Sequence, residues 1–516
     1  MHGLPLTDYL LMLPMVELVI FALGILLIDL LIPREWKWIN ALGAFVGVLF
    51  ATACVSRIQF ALPPRGLLGF NNSLLVDRFA IYFWYLFLAA AAVSILTSVH
   101  CLELEEEHRG EYYALLLLSV VGMMCMAAGI DVVLMYAGLA LTAVCNYLLV
   151  GFLRRERPST EAALKYMLLG SFSYGALAYG LSLFYGLSGG TNLGTIARMV
   201  AGLNSQNPVS GLNPHNPIIL IALFTTLTGL LFGISAFPLQ RWTPAAFESA
   251  PTSASGFVSA GVIAAGWALL LRILLFGMWP LRSVYIPVII FIAIATLTIG
   301  NVAALWQTNT KRLLAYASMA QVGYMLLALV AVGTSKVGGP EFLDSFKGIL
   351  IYLAVYALMN LGAFAVVTSL RQRDVMGDEI DDLAGLYKRA PVELVLMLLF
   401  LISLAGIPPA AGFWGKYYVF LSLIESGHRV LAALGVIYSL IGFCCYFRVA
   451  KIMFTRAPMD VGRFRAGVAL RSAIAITALA TIVIGIYPQP LIRSVNWSLG
   501  IAPSKIAASP HAAVTK

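Results

Sequence analysis

Continuous apolar runs of about twenty residues recur along this chain from end to end, separated by short polar loops. A run of that length is what an α-helix needs to cross ~30 Å of hydrocarbon at ~1.5 Å per residue. They lie at about 9–32, 37–56, 79–99, 112–129, 132–152, 162–186, 217–237, 254–277, 284–305, 313–332, 347–369, 392–425, 430–454 and 468–487. Lipid offers the backbone no water, so each run must satisfy its own amide groups as a helix. Strands of a membrane barrel would alternate apolar and polar residues in shorter segments, and these runs do not. The expected fold class is an all-α polytopic membrane protein with about 14 transmembrane helices.

Composition agrees with that reading. Apolar residues make up 60% of the 516 and charged residues 11%, about half the share of a soluble domain, so a water-soluble globule is excluded. The formal charge of +9 would suggest nucleic acid in a soluble chain, but here the basic residues sit between apolar runs and act as topology signals. Twenty of the 33 Lys and Arg residues follow odd-numbered spans, among them Arg34, Arg154, Arg371 and Lys388, and 12 lie on the opposite side, Arg272 among them. The positive-inside rule then places both termini on the non-cytoplasmic side of the cell inner membrane. No cleavable signal is expected, because 9–32 is too long for a signal core and no small-residue cleavage site follows. Cys54, Cys101, Cys125, Cys145, Cys444 and Cys445 form no CxxC pair and read as small packing residues.

Two spans are interrupted. The seventh meets Pro238, with Gln240-Arg241-Trp242-Thr243-Pro244 after it, and the twelfth breaks at Gly406-Ile407-Pro408-Pro409. Proline removes a helical hydrogen bond and glycine loosens the turn, so both breaks leave backbone groups free at membrane depth. They lie 170 positions and five spans apart, as a duplicated five-helix unit would place them. An odd number of spans inverts the duplicate, and paired broken helices in inverted repeats point to an ion pathway. The expected division is 1–110 for spans one to three, 111–282 and 283–466 for the two repeats, and 467–516 for the last helix and tail.

Lys416 lies seven residues after Pro409 inside an apolar run. A central lysine costs at least ~2.5–3.5 kcal/mol on insertion scales, so it must face the protein interior or a wet cavity, unless it snorkels to the interface. An amine held out of water gives up its proton more readily than a solvated one, which suits a proton carrier. Glu161 and Lys165 form an i, i+4 pair near the start of span six, where Ser159 or Thr160 is placed to cap the helix. Glu17, Asp29, Arg448 and Lys451 are weaker candidates. The run Glu103 to Glu107 with His108 reads as a solvated loop, and 371–389, with Asp378, Glu379, Asp381 and Asp382, as a loop that docks a neighbour or caps helix ends. No P-loop, dinucleotide fingerprint, zinc motif or intramembrane histidine pair is present, so no redox or hydrolytic chemistry is expected in this chain alone.

The stretch Leu404 to Lys416, with Asp381-Asp382-Leu383-Ala384-Gly385-Leu386 before it, resembles subunit N of bacterial NADH-quinone oxidoreductase, complex I of the respiratory chain. Ser159 to Tyr166, Gln307 to Tyr316, Gly323-Tyr324 and Asn360 to Phe364 add to the resemblance. It implies an antiporter-like fold of two inverted five-helix repeats and a proton path along the membrane midplane. NADH, FMN, iron–sulfur clusters and quinone are then expected in partner membrane and peripheral subunits, with no cofactor or metal in this chain and no nucleic acid among its partners. Lys416 matches the family's lysine of span twelve, and Glu161 and Lys165 match the motif opening span six. By the same resemblance Ala140, Gly233 and Ile263 stand where the family has a glutamate and two lysines, and Gln240 and Gln321 where it usually has histidine. Three accounts follow: a subunit that pumps through Lys416, Glu161, Lys165 and water held by groups such as Thr142, Asn146, Ser171, Asn301, Gln321 and Asn360; a non-pumping structural paralogue; and a subunit of a multi-part cation/proton antiporter.

Overall fold

The computed structural model describes residues 6–33, 36–105, 109–202, 214–336, 338–371, 378–455 and 467–501. His2, Arg34, Glu106, Glu107, His108, Arg373, Arg456, Arg463, Arg465, Lys505, His511 and Lys516 lie outside these segments. Among the described residues, 12 helices are long and apolar enough to cross a membrane. They are spans 1 (Leu6–Leu31), 2 (Trp38–Ala61), 3 (Arg78–Leu104), 4 (Gly110–Ala128), 5 (Val132–Val150), 6 (Arg157–Ser188), 8 (Thr252–Gly277), 9 (Arg282–Leu305), 10 (Thr310–Thr334), 11 (Pro340–Leu370), 13 (Arg429–Thr455) and 14 (Val468–Ile486). Spans 7 and 12 are each two pieces, Pro217–Gly233 with Trp242–Ser249, and Pro391–Ala405 with Ala411–Glu425. Twelve continuous helices and two broken ones account for the expected fourteen.

Spans 8, 10 and 11 are the core: their most apolar stretches are 100%, 94% and 94% buried, while those of spans 1, 6 and 13 are only 33% buried and form the perimeter. Between lipid and protein there is little hydrophobic difference, so close packing of small residues holds such helices together. Spans 4 and 5 show it at Gly122 and Gly138, where an added Cβ on either would come within 2.7 Å of the other's carbonyl oxygen. Span 8 widens into π-helix at Val258–Val262 and again at Arg272–Gly277. π-turns of this kind leave the α-helical ladder locally open.

Several short elements escaped the apolar-run reading, because none is long enough to register as a span. An antiparallel hairpin pairs Leu67–Gly69 with Leu74–Val76. The helices Leu193–Gly202, Trp242–Ser249 and Gln489–Ser498 have 10, 8 and 10 residues.

Several sequence expectations need correction. Arg272, assigned to a loop, is fully buried within span 8. Its guanidinium donates to both carboxylate oxygens of Asp77 at 2.9 and 2.6 Å and to the Ala127 carbonyl at 2.8 Å, and lies over the Phe79 ring. Asp77 in turn accepts from Ala80 N and caps span 3. Neither Ser159 nor Thr160 caps span 6: the helix starts at Arg157, where Pro158 presets the first turn, and Ser159 Oγ donates instead to the Val150 carbonyl. Glu105 is not freely solvated, since it pairs with Arg371 at 2.8 Å. Ser171 is exposed on span 6, and Ser173, two residues on, is the serine that turns inward. Cys54 does more than pack, because its thiol donates to the Glu17 carboxylate at 3.0 Å.

The 378–389 segment docks on its own chain. Asp378 meets Lys311 at 2.9 Å, its carbonyl accepts from Thr310 N, and Asn309 bridges to Glu379. Arg448 donates to the carbonyls of Leu305 and Gln307 and so ties span 13 to the end of span 9. Asp29 is held by Lys37 and Asn40.

Candidate functional site

The break in span 12 is built by four residues in a row. Gly406 ends the first piece at φ +80°, a conformation open to glycine. Pro408 and Pro409 have no N–H with which to continue the helix. The second piece starts at Ala411, and Gly412 N donates to Ser403 Oγ at 3.0 Å, so the two pieces brace each other.

Interrupting the ladder frees the Ala405 carbonyl, and Lys416, a turn and a half into the second piece, turns back to it. Lys416 Nζ donates to Ala405 O at 2.8 Å and to Ser439 Oγ of span 13 at 2.9 Å. The ammonium lies 4.7 Å from the centre of the Tyr324 ring, a cation–π contact from span 10. The residue is 5% exposed, so it does not snorkel. No described carboxylate pairs with it. An ammonium held by neutral dipoles alone is not locked in its charged form, as it would be opposite a buried carboxylate. The site can therefore hold the amine with or without its extra proton.

Polar groups continue along one face of span 10 from this point. Ser318, Gln321 and Tyr324 follow at intervals of three, which keeps them on one side of the helix. Gln321 donates to the Leu404 carbonyl at 3.3 Å and to Tyr446 Oη at 3.4 Å, and it accepts from Tyr352 Oη of span 11. Asn360 donates to Ser318 Oγ at 2.9 Å. Ser439, Tyr324, Tyr352 and Tyr446 were not singled out as site residues from the sequence. Tyrosine and serine in apolar helices give no signal until the partner lysine's position is known.

Glu161 and Lys165 are elsewhere. They pair at 2.6 Å on span 6, with side chains 65% and 56% exposed, and neither is a partner of Lys416. The positions matched to family ionisable residues are also dispersed. Ala140 faces outward on span 5, and Ile263 is fully buried in span 8. Gly233, the last residue of span 7's first piece, borders a cavity of about 10 Å³ lined also by Thr142, Tyr166, Tyr174 and Gly266. The break that follows is held by Phe237 N donating to Thr296 Oγ1 at 3.0 Å and by Thr243 Oγ1 donating to Ser235 Oγ at 2.9 Å. Among the described residues no group of three or more His, Cys, Asp or Glu could hold a metal.

Residues 129–442, which span both breaks, match the family described as NADH:quinone oxidoreductase/Mrp antiporter. The chain belongs to that family. Within it the match is to subunit N: NADH-quinone oxidoreductase subunit N 1 of Koribacter versatilis is 53% identical over 502 residues, 96% of each chain. Subunit N 2 of Solibacter usitatus is 45% identical over 96% of this chain and 98% of its own. A chain of respiratory complex I from Thermus thermophilus superposes with a TM-score of 0.75 at 26% identity, covering 93% of this chain and 99% of that one. The archaeal membrane-bound sulfane sulfur reductase contains a chain of the same fold, with a TM-score of 0.82 at 23% identity, covering 96% of this chain and 98% of that one.

Proposed function

We propose that this subunit N works in the membrane arm of a proton-translocating NADH-quinone oxidoreductase, with Lys416 as its proton-carrying group. One observation carries the assignment of Lys416: an amine buried at a helix break and held only by neutral acceptors, Ala405 O, Ser439 Oγ and the Tyr324 ring. Electron transfer from NADH through FMN and iron–sulfur clusters to quinone belongs, on this reading, to partner subunits. This chain responds through charge and conformation.

The residues that face Lys416 divide the work. Ser439 and the Ala405 carbonyl hold the ammonium, and the hydroxyl can rotate to donate when the amine is neutral. Gln321, Tyr352 and Tyr446 form a neutral hydrogen-bonded chain beside it. Spans 4–8 and 9–13, residues 111–282 and 283–466, are read as the two inverted units. Glu161 and Lys165 take a secondary place at the outer surface of span 6, where a neighbouring subunit is able to meet them.

The apolar replacements Ala140, Gly233 and Ile263 favour a second reading, a scaffold that fills the arm without pumping. Lys416→Met separates the two. In the assembled enzyme, in sealed vesicles, the variant is expected to lower the protons moved per electron. An unchanged ratio at equal assembly rejects the assignment and leaves the scaffold. The likeness to Koribacter and Solibacter subunit N at 53% and 45% identity supports a respiratory enzyme over a separate cation/proton antiporter.

A further inference from the structure

A broken helix is held in place by the contacts that replace its missing ladder, and the second piece of span 12, Ala411–Glu425, has one of them on the side away from Lys416. Trp414 and Lys416 are two residues apart, about 200° around the helix axis, so they leave it on nearly opposite sides. Lys416 turns toward spans 10 and 13, where the Tyr324 ring and Ser439 meet it. Trp414 turns toward span 14, and its Nε1–H donates to the Gly485 carbonyl at 2.8 Å. Phe413 at 5.6 Å and Tyr417 at 5.9 Å meet the indole edge-on and hold its orientation.

The acceptor is open to this bond because of its place in the helix. Gly485 lies in the last turn of span 14, which ends at Ile486, and carbonyls there have no amide further along the helix to receive. Its lack of a side chain matters as much. A Cβ on Gly485 would run into the Pro409 carbonyl oxygen and lie 3.0 Å from Ala411 N, so the end of span 14 is seated on the break itself. The inward face of span 14 leads there through Leu470, Ile474, Thr477 and Thr481, all buried, whereas Leu479 and Ile486 point outward. Gly412 N on Ser403 Oγ joins the two pieces of span 12 at the hinge. The Trp414–Gly485 bond is set off to one side, where it opposes rotation and sliding of the piece that carries Lys416.

We infer that Trp414 is a positioning residue for Lys416, and that span 14, outside both five-helix units, sets the height and rotation of the lysine through the Trp414–Gly485 bond. The role in transport rests on the proton-translocating reading above. Lys416 Nζ reaches Ala405 O and Ser439 Oγ at 2.8 and 2.9 Å, and a displacement of about 1 Å takes it out of hydrogen-bond range. With the indole bond broken, the amine loses the acceptors that hold its charged form. Electron transfer, which partner subunits perform on that reading, continues.

The test measures protons moved per electron by the assembled complex in sealed vesicles at pH 7.5, normalised to assembled complex. Trp414→Phe keeps an aromatic ring and removes the N–H, and is expected to carry electrons with a ratio lowered toward that of Lys416→Met. Trp414→His has a smaller ring, but its Nε2 occupies the place of the indole Nε1 and donates as a neutral imidazole, so it is expected to keep the wild-type ratio. A packing role alone predicts the reverse order, because phenylalanine fills more of the indole's space. If Trp414→Phe does not assemble, Gly485→Ala tests the contact from span 14, where the added methyl pushes the helix off the break, with the same lowered ratio expected. A wild-type ratio in the variant that assembles, or Trp414→His no better than Trp414→Phe, overturns the proposal. Loss of assembly in both Trp414→Phe and Gly485→Ala also overturns it, since the contact would then serve folding. Failure of Lys416→Met to lower the ratio would instead reject the pumping reading itself.

Discussion

A methyl group on Gly412 would come within 1.7 Å of the Ser403 carbonyl oxygen, and one on Gly406 within 2.6 Å of the Lys416 side chain. At this scale the site is a matter of what is left out: two glycines and two prolines shape a gap, and one lysine fills it. Outside the spans, Glu156 illustrates the opposite situation. Desolvation, then the nearby Glu105 charge, raises its carboxyl above the ordinary value, against the opposing pull of Arg371 and Lys311. A carboxyl whose folded value is raised stabilises the fold while protonated and loses that contribution as pH rises through the folded value. Glu156→Gln is therefore expected to raise the unfolding temperature of the purified chain in detergent at pH 7.5. The gain should fade as pH drops below the carboxyl's ordinary range. A gain that instead grows on acidification would contradict the assigned cause.

Among single residues, Lys416 was legible because a charge inside an apolar run has few explanations. Arg272 is just as buried but was read as a loop residue. It stands near the end of its run, and its partner Asp77 is 195 positions earlier, beyond the reach of any local pattern. Tyr174 gave no signal, since an aromatic in a membrane helix looks the same whether its hydroxyl meets lipid headgroups or a cavity.

At the level of elements, the fourteen spans could be read from hydropathy because each must be self-sufficient in hydrogen bonds. The short helices and the hairpin could not, for they depend on packing against spans already in place. The Arg272–Asp77 pair shows how two elements are joined inside that frame, tying span 8 to the start of span 3 and, through Ala127 O, to the end of span 4. Removing one partner strands a buried charge at a cost of about 3–5 kcal/mol, whereas replacing both with apolar residues of similar size costs far less. Arg272→Met or Asp77→Leu alone should therefore sharply reduce the amount of folded subunit in membranes. The double variant should recover most of it. Equal losses in all three would show that the pair contributes only through its individual packing.

For the whole molecule, the orientation rests on the asymmetry of Lys and Arg between the two faces, which survives moving Arg272 from a loop into span 8. We expect the 378–389 segment on the cytoplasmic side and both termini outside. A single cysteine at Lys388, which is exposed where Ile380 is buried, introduced after the six native cysteines are replaced, should react with a membrane-impermeant thiol reagent only when the cytoplasmic face is open. Labelling from the outside alone would invert the arrangement. In that frame the break in span 12 has a buried amine beside it, whereas the break in span 7 is held by hydroxyls and a backbone amide. Lys416→Arg probes this division most directly, because arginine keeps the charge and the hydrogen-bond donors but does not release its proton. The measurement is protons moved per electron in sealed vesicles, normalised to assembled complex. The account predicts a complex that assembles and carries electrons with a lowered ratio; a wild-type ratio in the arginine variant would contradict it.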